Sequence, residues 1–283
     1  MRYIMFTKHL QTLSIAEMGR VVKDLGFSGV ELTVRNGGHV LPQNVASDLP
    51  LAIERLAEIG LTVPAIVVEI HRPSDPYAEE VCRIAGQLGA THLRTSSQRY
   101  SVFGSLRDEM SAMRRDVGDL ERLATDCGVR ICIHTHSGNF LSAQGAVLAS
   151  IVEGTDPCAI GVSFDLGHLT VEGGLSGWRQ SLDLLHDRIG LVAVKSFGWS
   201  VATDPVSGLK NWHPRIVPLS DGNVQWAEGF KLMRQLGWDQ DDQALVSIHS
   251  EYQGKETWRD LSVPELIDQT RDDFQWLREQ AAV

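Results

Sequence analysis

Three short segments of the chain carry imidazole and carboxylate side chains at spacings that suit a metal ion or a polyol. His134 and His136 are two residues apart, and so are His249 and Glu251, while Asp165 ends another apolar run. Side chains two apart on a strand project from the same face, so each pair should point the same way. Mixed imidazole and carboxylate ligands suit a divalent transition metal, and three or four of them leave a position open for substrate. Without a metal, these side chains would form a hydrogen-bonding pocket for a carbohydrate.

Charged residues recur beside other apolar runs. Lys195 and Arg94 would supply fixed positive charge, and Arg35 with His39 either binds an anionic substituent or holds its own glycine-containing loop in shape. One such residue alone is usually an ordinary strand-end residue held by hydrogen bonds. Their recurrence in most of the runs points instead to one shared site. The other polar residues near the ends of these runs are Lys8, His9, Glu31, Glu69, His71 and His168.

The elements that would position these residues alternate along the whole chain. Short β-branched apolar runs are each followed by a longer amphipathic stretch, which is the pattern of repeated βα units. Several stretches end at a glycine, such as Gly128, where a left-handed cap leads into the next run. The predicted strands are 3–7, 29–34, 62–70, 92–96, 129–135, 160–165, 191–197 and 244–250. The predicted helices are 15–25, 49–59, 77–88, 106–126, 143–152, 182–187, 226–236 and 263–280.

Eight such units close most economically as a single (β/α)8 TIM barrel, which we expect to span residues 1–283 as one domain. No GxGxxG or GxxxxGK motif favours an open doubly wound sheet. The carboxyl ends of barrel strands open into one mouth, so the polar residues should meet there. The long irregular stretch 198–224 should lie over this active face. Its Trp199 and Trp212 either stack on a sugar ring or pack the loop down.

Composition and charge restrict the class of partner. The chain has 283 residues, of which 43% are hydrophobic and 22% charged, and its formal net charge is -10. This charge opposes attraction to nucleic acid and to anionic membranes, and no apolar stretch approaches the roughly 20 residues of a spanning helix. The sequence therefore predicts a cytoplasmic protein with a small-molecule partner, no nucleic-acid or membrane partner, and free cysteine thiols. The sequence leaves open whether the protein forms a homo-oligomer.

Four segments resemble the strand motifs of a known family: 27–42 (FSGVELTVRNGGHVLP), 134–138 (HTHSG), 164–168 (FDLGH) and 246–252 (VSIHSEY). A fifth segment, 218–226 (PLSDGNVQW), resembles the stretch before that family's seventh helix. Together they resemble the xylose isomerase-like, sugar phosphate isomerase/epimerase family of TIM barrels. The resemblance implies that Asp165 is a metal ligand and that His168 is a ligand or a substrate contact. Where the family has a glutamate, a histidine and a glutamate on strands five, seven and eight, this chain has His134, Ala193 and His249.

These departures change the chemistry that the resemblance implies. The family's epimerases resemble a design in which two glutamates exchange a proton beside a carbonyl, whereas these residues fit one-sided proton abstraction better. Glu251 or His249 would be the base, and Lys195 together with a metal ion would hold the enediolate. We expect a divalent ion, Mn, Zn, Co, Fe or Mg, bound by His134, Asp165, His249 and Glu251. The expected substrate contacts are Glu31, Arg35, Arg94, His136, His168, Trp199 and Trp212.

The sequence thus predicts a carbohydrate isomerase or epimerase that removes a proton next to a carbonyl with the help of a metal. A keto-sugar lyase or dehydratase is the alternative on the same site, because loss of a leaving group can follow the same proton abstraction. A third interpretation, from a different class, is a sugar-binding or partner subunit without activity, since departures at ligand positions can also mean lost chemistry.

Overall fold

Eight parallel strands form a closed barrel in the computed structural model, which describes residues 1–238 and 244–282. The strands in chain order are β1 (Arg2–Phe6), β2 (Gly29–Thr33), β3 (Thr62–Val68), β4 (His92–Thr95), β5 (Arg130–His134), β6 (Ile160–Asp165), β7 (Ile189–Val194), β8 (Ser196–Thr203), β9 (Lys210–Val217) and β10 (Leu245–Ile248). All except β8 and β9 belong to the barrel, in the order β1-β10-β7-β6-β5-β4-β3-β2. The predicted single (β/α)8 barrel is confirmed.

Helices follow the barrel strands and pack against their outer faces. They are α1 (Ile15–Asp24), α2 (Val45–Glu58), α3 (Ala78–Gln87), α4 (Leu106–Cys127), α5 (Gly145–Val152), α6 (Leu166–Gly173), α7 (Gly177–Leu185), α8 (Trp226–Gln235) and α9 (Val263–Ala282). The sequence did not predict α6, and α7 begins before the predicted residue 182. Local chemistry explains some of the helix ends. Ser14 and Glu17 form a reciprocal capping box at α1, and Gly128 closes α4 with a φ of 64°.

The inside of the barrel changes from apolar to polar along the strands. A separate buried apolar cluster fills its lower part: Ile4, Ala65, Cys132, Leu191 and Leu245. Because residues two apart on a strand share a face, Cys132 is followed upward by His134, the last residue of β5, and Leu245 is followed by Ser247. The apolar floor therefore supports a polar layer at the carboxyl ends of the strands.

The segment that the sequence analysis took as irregular is an antiparallel hairpin. Its strands β8 and β9 pair from Ser196 with Val217 to Thr203 with Lys210. The turn is closed by Asp204, whose Oδ1 accepts hydrogen bonds from the backbone N–H groups of Val206 and Ser207. The irregular-loop prediction was wrong because both strands are largely exposed, so they carry no buried apolar run.

Seven of the eight predicted barrel strands end one to three residues earlier than predicted, and the sixth ends at residue 165 as predicted. The third ends at Val68 and not at residue 70, and the seventh ends at Val194, so that Lys195 separates the barrel from the hairpin. This break places Lys195 at the barrel mouth. In the part of the chain that the structure describes, no helix combines the length and apolarity needed to cross a membrane.

Candidate active site

Two adjoining cavities open at the carboxyl ends of the strands, with volumes of about 610 and 1040 Å³. The smaller lies towards the ends of β2, β3 and β4, and the larger extends beneath the hairpin. Trp199 and His213 of the hairpin line the larger cavity. The residues that line both cavities are Lys8, Arg99, His136, Phe140, Lys195 and Glu251.

Asp165 ends β6 and caps α6. Its Oδ1 accepts a hydrogen bond from the His168 backbone N–H at 2.9 Å, and its own N–H donates to Thr135 Oγ1. Oδ2 is buried and makes no hydrogen bond among the described residues. Burial raises the pKa of the Asp165 carboxyl to about 6, although the Lys195 ammonium acts in the opposite direction. Asp165 thus presents a buried oxygen that accepts no hydrogen bond among the described residues but lies 3.4 Å from the Lys195 ammonium.

Two histidines face this oxygen, each held by a serine. His134 Nδ1 lies 3.1 Å from Ser163 Oγ, and His168 Nδ1 lies 2.8 Å from Ser137 Oγ. Their Nε2 atoms are 3.6 and 3.9 Å from Asp165 Oδ2. Burial, reinforced by nearby cations, holds the pKa of both imidazoles well below its usual value, so both are neutral at pH 7.

These three side chains form a group that can hold a metal ion. Their ligand atoms all lie within 4.8 Å of one another, and all three residues are buried. Neutral imidazoles whose second nitrogen is fixed by a hydrogen bond, beside a carboxylate oxygen without one, are the donors that a divalent metal requires. The residues therefore fit a metal ion in their donor chemistry.

Lys195 lies beside this group and joins it to Glu251. Its Nζ is 3.4 Å from Asp165 Oδ2 and donates to Glu251 Oε2 at 2.6 Å. Burial opposes the charge of Lys195, but Glu251 and Asp165 outweigh it and raise its pKa. Burial likewise opposes the charge of Glu251, but Lys195 and Lys8 hold its pKa well below its usual value. Both groups are thus charged at neutral pH.

His249 and Glu31 form a second buried polar group. Glu31 accepts hydrogen bonds from Arg94 Nε at 2.5 Å and Ser247 Oγ at 2.6 Å, and lies 3.1 Å from His249 Nε2. Burial opposes ionisation of Glu31, yet Arg94 and His249 lower its pKa to about 2. Burial and Arg94 lower the pKa of His249 to about 4. His249 therefore faces Glu31 through Nε2, although its ring centroid is only 5.9 Å from that of His134.

The remaining residues that the sequence singled out are not all at the cavities. Arg35 lines the smaller cavity, and His136 lines both and stacks on His168 with ring centroids 3.9 Å apart. Trp212 is 62% exposed on β9 and lines neither cavity. Sequence reasoning attached no role to Ser137, although it follows His136 in the HTHSG motif.

A family model described as xylose isomerase-like TIM barrel matches residues 20–280. The chain belongs to this family. The resemblance drawn from the sequence motifs is thereby confirmed. Among curated proteins, deoxyribose-phosphate aldolase 1 of Cutibacterium acnes is 27% identical over 125 residues, which cover 43% of this chain and 55% of that relative. The match thus spans about half of that protein's length.

Solved structures share the fold over nearly the whole chain. D-psicose 3-epimerase of Clostridium cellulolyticum H10, solved with D-tagatose, has a TM-score of 0.70 at 14% identity, covering 99% of both chains. The 3-keto-D-glucoside 4-epimerase of E. coli has a TM-score of 0.69 at 13% identity, again covering 99% of both. The probable 3-DHS dehydratase of Bacillus anthracis has a TM-score of 0.69 at 16% identity, covering 97% of this chain and 99% of that one. At these identities the likeness shows the fold.

Proposed function

We propose that this protein is a carbohydrate isomerase or epimerase that removes a proton from the carbon next to a carbonyl. One observation carries the proposal: the Lys195 ammonium lies between the carboxylates of Asp165 and Glu251, where it and Glu251 line both cavities. Proton abstraction beside a carbonyl needs a base and a cation for the developing oxyanion, and this arrangement supplies both.

Glu251 is the proposed base. It is ionised at neutral pH because Lys8 and Lys195 donate to its two oxygens at 2.7 and 2.6 Å. In this state its basicity is low. A substrate oxygen that takes over the hydrogen bond from Lys195 would remove one of these donors, so the basicity of Glu251 would rise as the oxyanion gains its stabilising charge.

His249 is the proposed second proton carrier. Its Nε2 faces Glu31, and its buried Nδ1 has no hydrogen-bond partner among the described residues. A carboxylate that orients an imidazole in this way leaves the other nitrogen free to accept a proton. Return of the proton by Glu251 to the neighbouring carbon gives isomerisation. Epimerisation requires delivery of a proton to the opposite face of the same carbon, and His249 can deliver it only after its Nδ1 has taken up a proton from solvent, because the neutral ring carries its proton on Nε2, towards Glu31.

A divalent metal ion bound by His134, Asp165 and His168 would polarise substrate oxygens as a Lewis acid. This proposed ligand set includes His168 and leaves out His249 and Glu251, because those two side chains face Glu31 and the lysines. Two imidazoles and one carboxylate favour Zn, Mn, Co or Fe over Mg, which prefers oxygen ligands. The residues of the chain would orient the substrate and move the proton.

Solvent deuterium incorporation tests the proposal. The enzyme is incubated in D₂O with ketoses, and incorporation beside the carbonyl is measured by NMR. We expect wild-type exchange with a substrate ketose and a loss of at least about 100-fold in Glu251→Gln, because a general base contributes about 10² to 10⁴. Glu153→Gln, at an exposed site after α5, is the matched control. Wild-type exchange in Glu251→Gln would remove Glu251 as the base.

Elimination from a keto-sugar is the second candidate, and the protonation of Lys195 favours it. Its raised pKa keeps it an ammonium group at neutral pH, and from its place in both cavities this group can stabilise a departing hydroxyl by donating a hydrogen bond. Product analysis separates the two reactions, since elimination gives an unsaturated product and isomerisation does not. Sugar binding without exchange or turnover would favour the non-catalytic subunit instead.

A further inference from the structure

The smaller cavity is strongly cationic, in contrast to the chain as a whole. The chain carries a formal net charge of -10, yet six Lys or Arg side chains line this cavity against two carboxylates, Asp75 and Glu251. The larger cavity is more balanced, because three glutamates there face five Lys or Arg side chains. The excess of positive charge is thus concentrated on the side of β2, β3 and β4.

Most of these cations already have carboxylate partners. Lys8 and Lys195 pair with Glu251, and Arg72 lies 3.9 Å from Asp75 and 3.7 Å from Asp116. The Arg94 Nε pairs with Glu31. Arg35 and Arg99 differ from them: within residues 1–238 and 244–282, neither guanidinium makes a hydrogen bond or an ion pair, although Arg99 lies over the Phe140 ring.

Arg94 also has donor capacity left. The residue is only 7% exposed, and its Nη2 is buried without a hydrogen-bond partner in the described part of the chain. A buried guanidinium N–H without an acceptor costs free energy that a ligand can recover. Burial, followed by the nearby Arg94 charge, lowers the pKa of Arg35. Arg35 and Arg94 thus line the same open cavity, and Glu69, Glu251 and Glu31 offset part of the positive charge around Arg35.

We propose that the smaller cavity binds an anionic group of the carbohydrate, a phosphate ester or a carboxylate, through Arg35 and Arg94, with Arg99 at the rim. This inference rests on the proposed function, according to which the substrate is a carbohydrate. Guanidinium groups match phosphate and carboxylate geometry through paired N–H donors, which suits both sources of the charge.

The position of the arginines indicates which part of the substrate would carry the anionic group. Arg35 follows β2 and Arg94 lies on β4, whereas Asp165 ends β6 and Lys195 follows β7, across the barrel. Both sets border the same cavity system. An anionic group held mainly by Arg35 therefore lies on the β2 side of the cavity, away from Asp165 and Lys195, whereas Arg94 lies nearer the reacting carbonyl because Glu31 joins it to His249.

Calorimetric titration of the whole protein tests the inference without any need for turnover. The probes are inorganic phosphate, D-gluconate and the neutral D-glucitol. We expect phosphate or gluconate to bind more tightly than glucitol, with an affinity that falls as KCl is added. The tighter of the two anions identifies whether the group is a phosphate ester or a carboxylate.

Variants at Arg35 assign the binding to this cavity. Arg35→Leu should weaken anion binding about tenfold or more, and Arg35→Lys should retain part of it, because the charge remains but the paired donors do not. Arg55→Leu, on the exposed face of α2, is the matched control. Thermal unfolding of each variant shows whether it is folded.

Two results would overturn the inference: equal affinity for the anions and glucitol, or wild-type anion binding in Arg35→Leu. They are distinguishable from a failure of the proposed function. Anion binding that depends on Arg35, without deuterium exchange on any ketose, supports the anion site and contradicts the isomerase. Exchange of a neutral ketose at the same rate as its phosphate ester and its acid supports the isomerase and contradicts the anion site.

Discussion

Lys195 Nζ lies 3.1 Å from His168 Nε2, so an ammonium group borders the three atoms that can hold a metal ion. A divalent ion bound there would meet a positive charge that Glu251 only partly offsets. Like charges about 4 Å apart repel by several kcal/mol even at an effective dielectric constant of about 20. The affinity of the site for metal should therefore depend on Lys195.

Lys195→Met should bind Mn²⁺ or Zn²⁺ about tenfold or more tightly than the wild type, because the repelling charge is gone. Calorimetric titration with each metal measures the affinity. Lys231→Met, exposed on α8, serves as the control. Equal affinities for wild type and Lys195→Met would mean that metal does not bind at His134, Asp165 and His168.

Glu31→Gln should destabilise the fold by about 3–5 kcal/mol, because it leaves the buried Arg94 without its counter-charge. Urea unfolding followed by circular dichroism gives the free energy of unfolding. Glu58→Gln removes the carboxylate of an exposed pair with Arg55 and should cost less than about 1 kcal/mol. Similar losses in the two variants would show that the Glu31–Arg94 pair is not protected from solvent.

The free energy of unfolding should fall as the pH is lowered from 6.5 to about 4. In this range an unfolded chain protonates His249, whereas the folded protein does not, because burial and Arg94 lower its folded pKa to about 4. The Asp165 carboxyl has the opposite effect on the free energy of unfolding below about pH 6, because burial raises its folded pKa. His249→Gln should remove up to about 3 kcal/mol of this dependence, measured by urea unfolding at several pH values. An unchanged slope would contradict the neutral state of His249.

Trp199→Ala should raise the KM for the substrate severalfold, because Trp199 lines the larger cavity. Trp212→Ala, on the other strand of the same hairpin, should leave KM unchanged because that ring lines neither cavity. Steady-state kinetics on the ketose identified by deuterium exchange provides the comparison. Equal effects of the two substitutions would indicate that the hairpin acts by its packing and not through contact with the substrate.

Local sequence information was sufficient for the barrel. A strand buried on both faces needs a continuous apolar run, and a helix that ends before such a run needs a left-handed residue, as at Gly128 with its φ of 64°. The hairpin of β8 and β9 lacks a buried run along most of its length, and α6 begins directly after β6 with five buried residues, so no turn separates it from the strand. Neither element has a signal in the pattern that identified the others.

Most members of the candidate site were predictable, although Trp212 lines neither cavity and Ser137 was missed, but their pairings were not predictable. The repeat of βα units was enough to bring Asp165, His134, Lys195 and Glu251 to one barrel mouth, because carboxyl ends of parallel strands meet there. Whether His249 faces Asp165 or Glu31 was not predictable, since Glu31 lies 218 residues away along the chain.

The sequence by itself determined the period of strands and helices, and with it the fold and the end of the barrel where polar residues gather. Only the tertiary structure decided which nitrogen faces which carboxylate, which arginines lack a partner, and where Lys195 lies relative to the histidines. The physical reason is the separation along the chain over which each interaction acts. Burial and backbone propensity act on neighbours in the chain, whereas charge pairing depends on distances of a few ångströms that exist only after the barrel has closed.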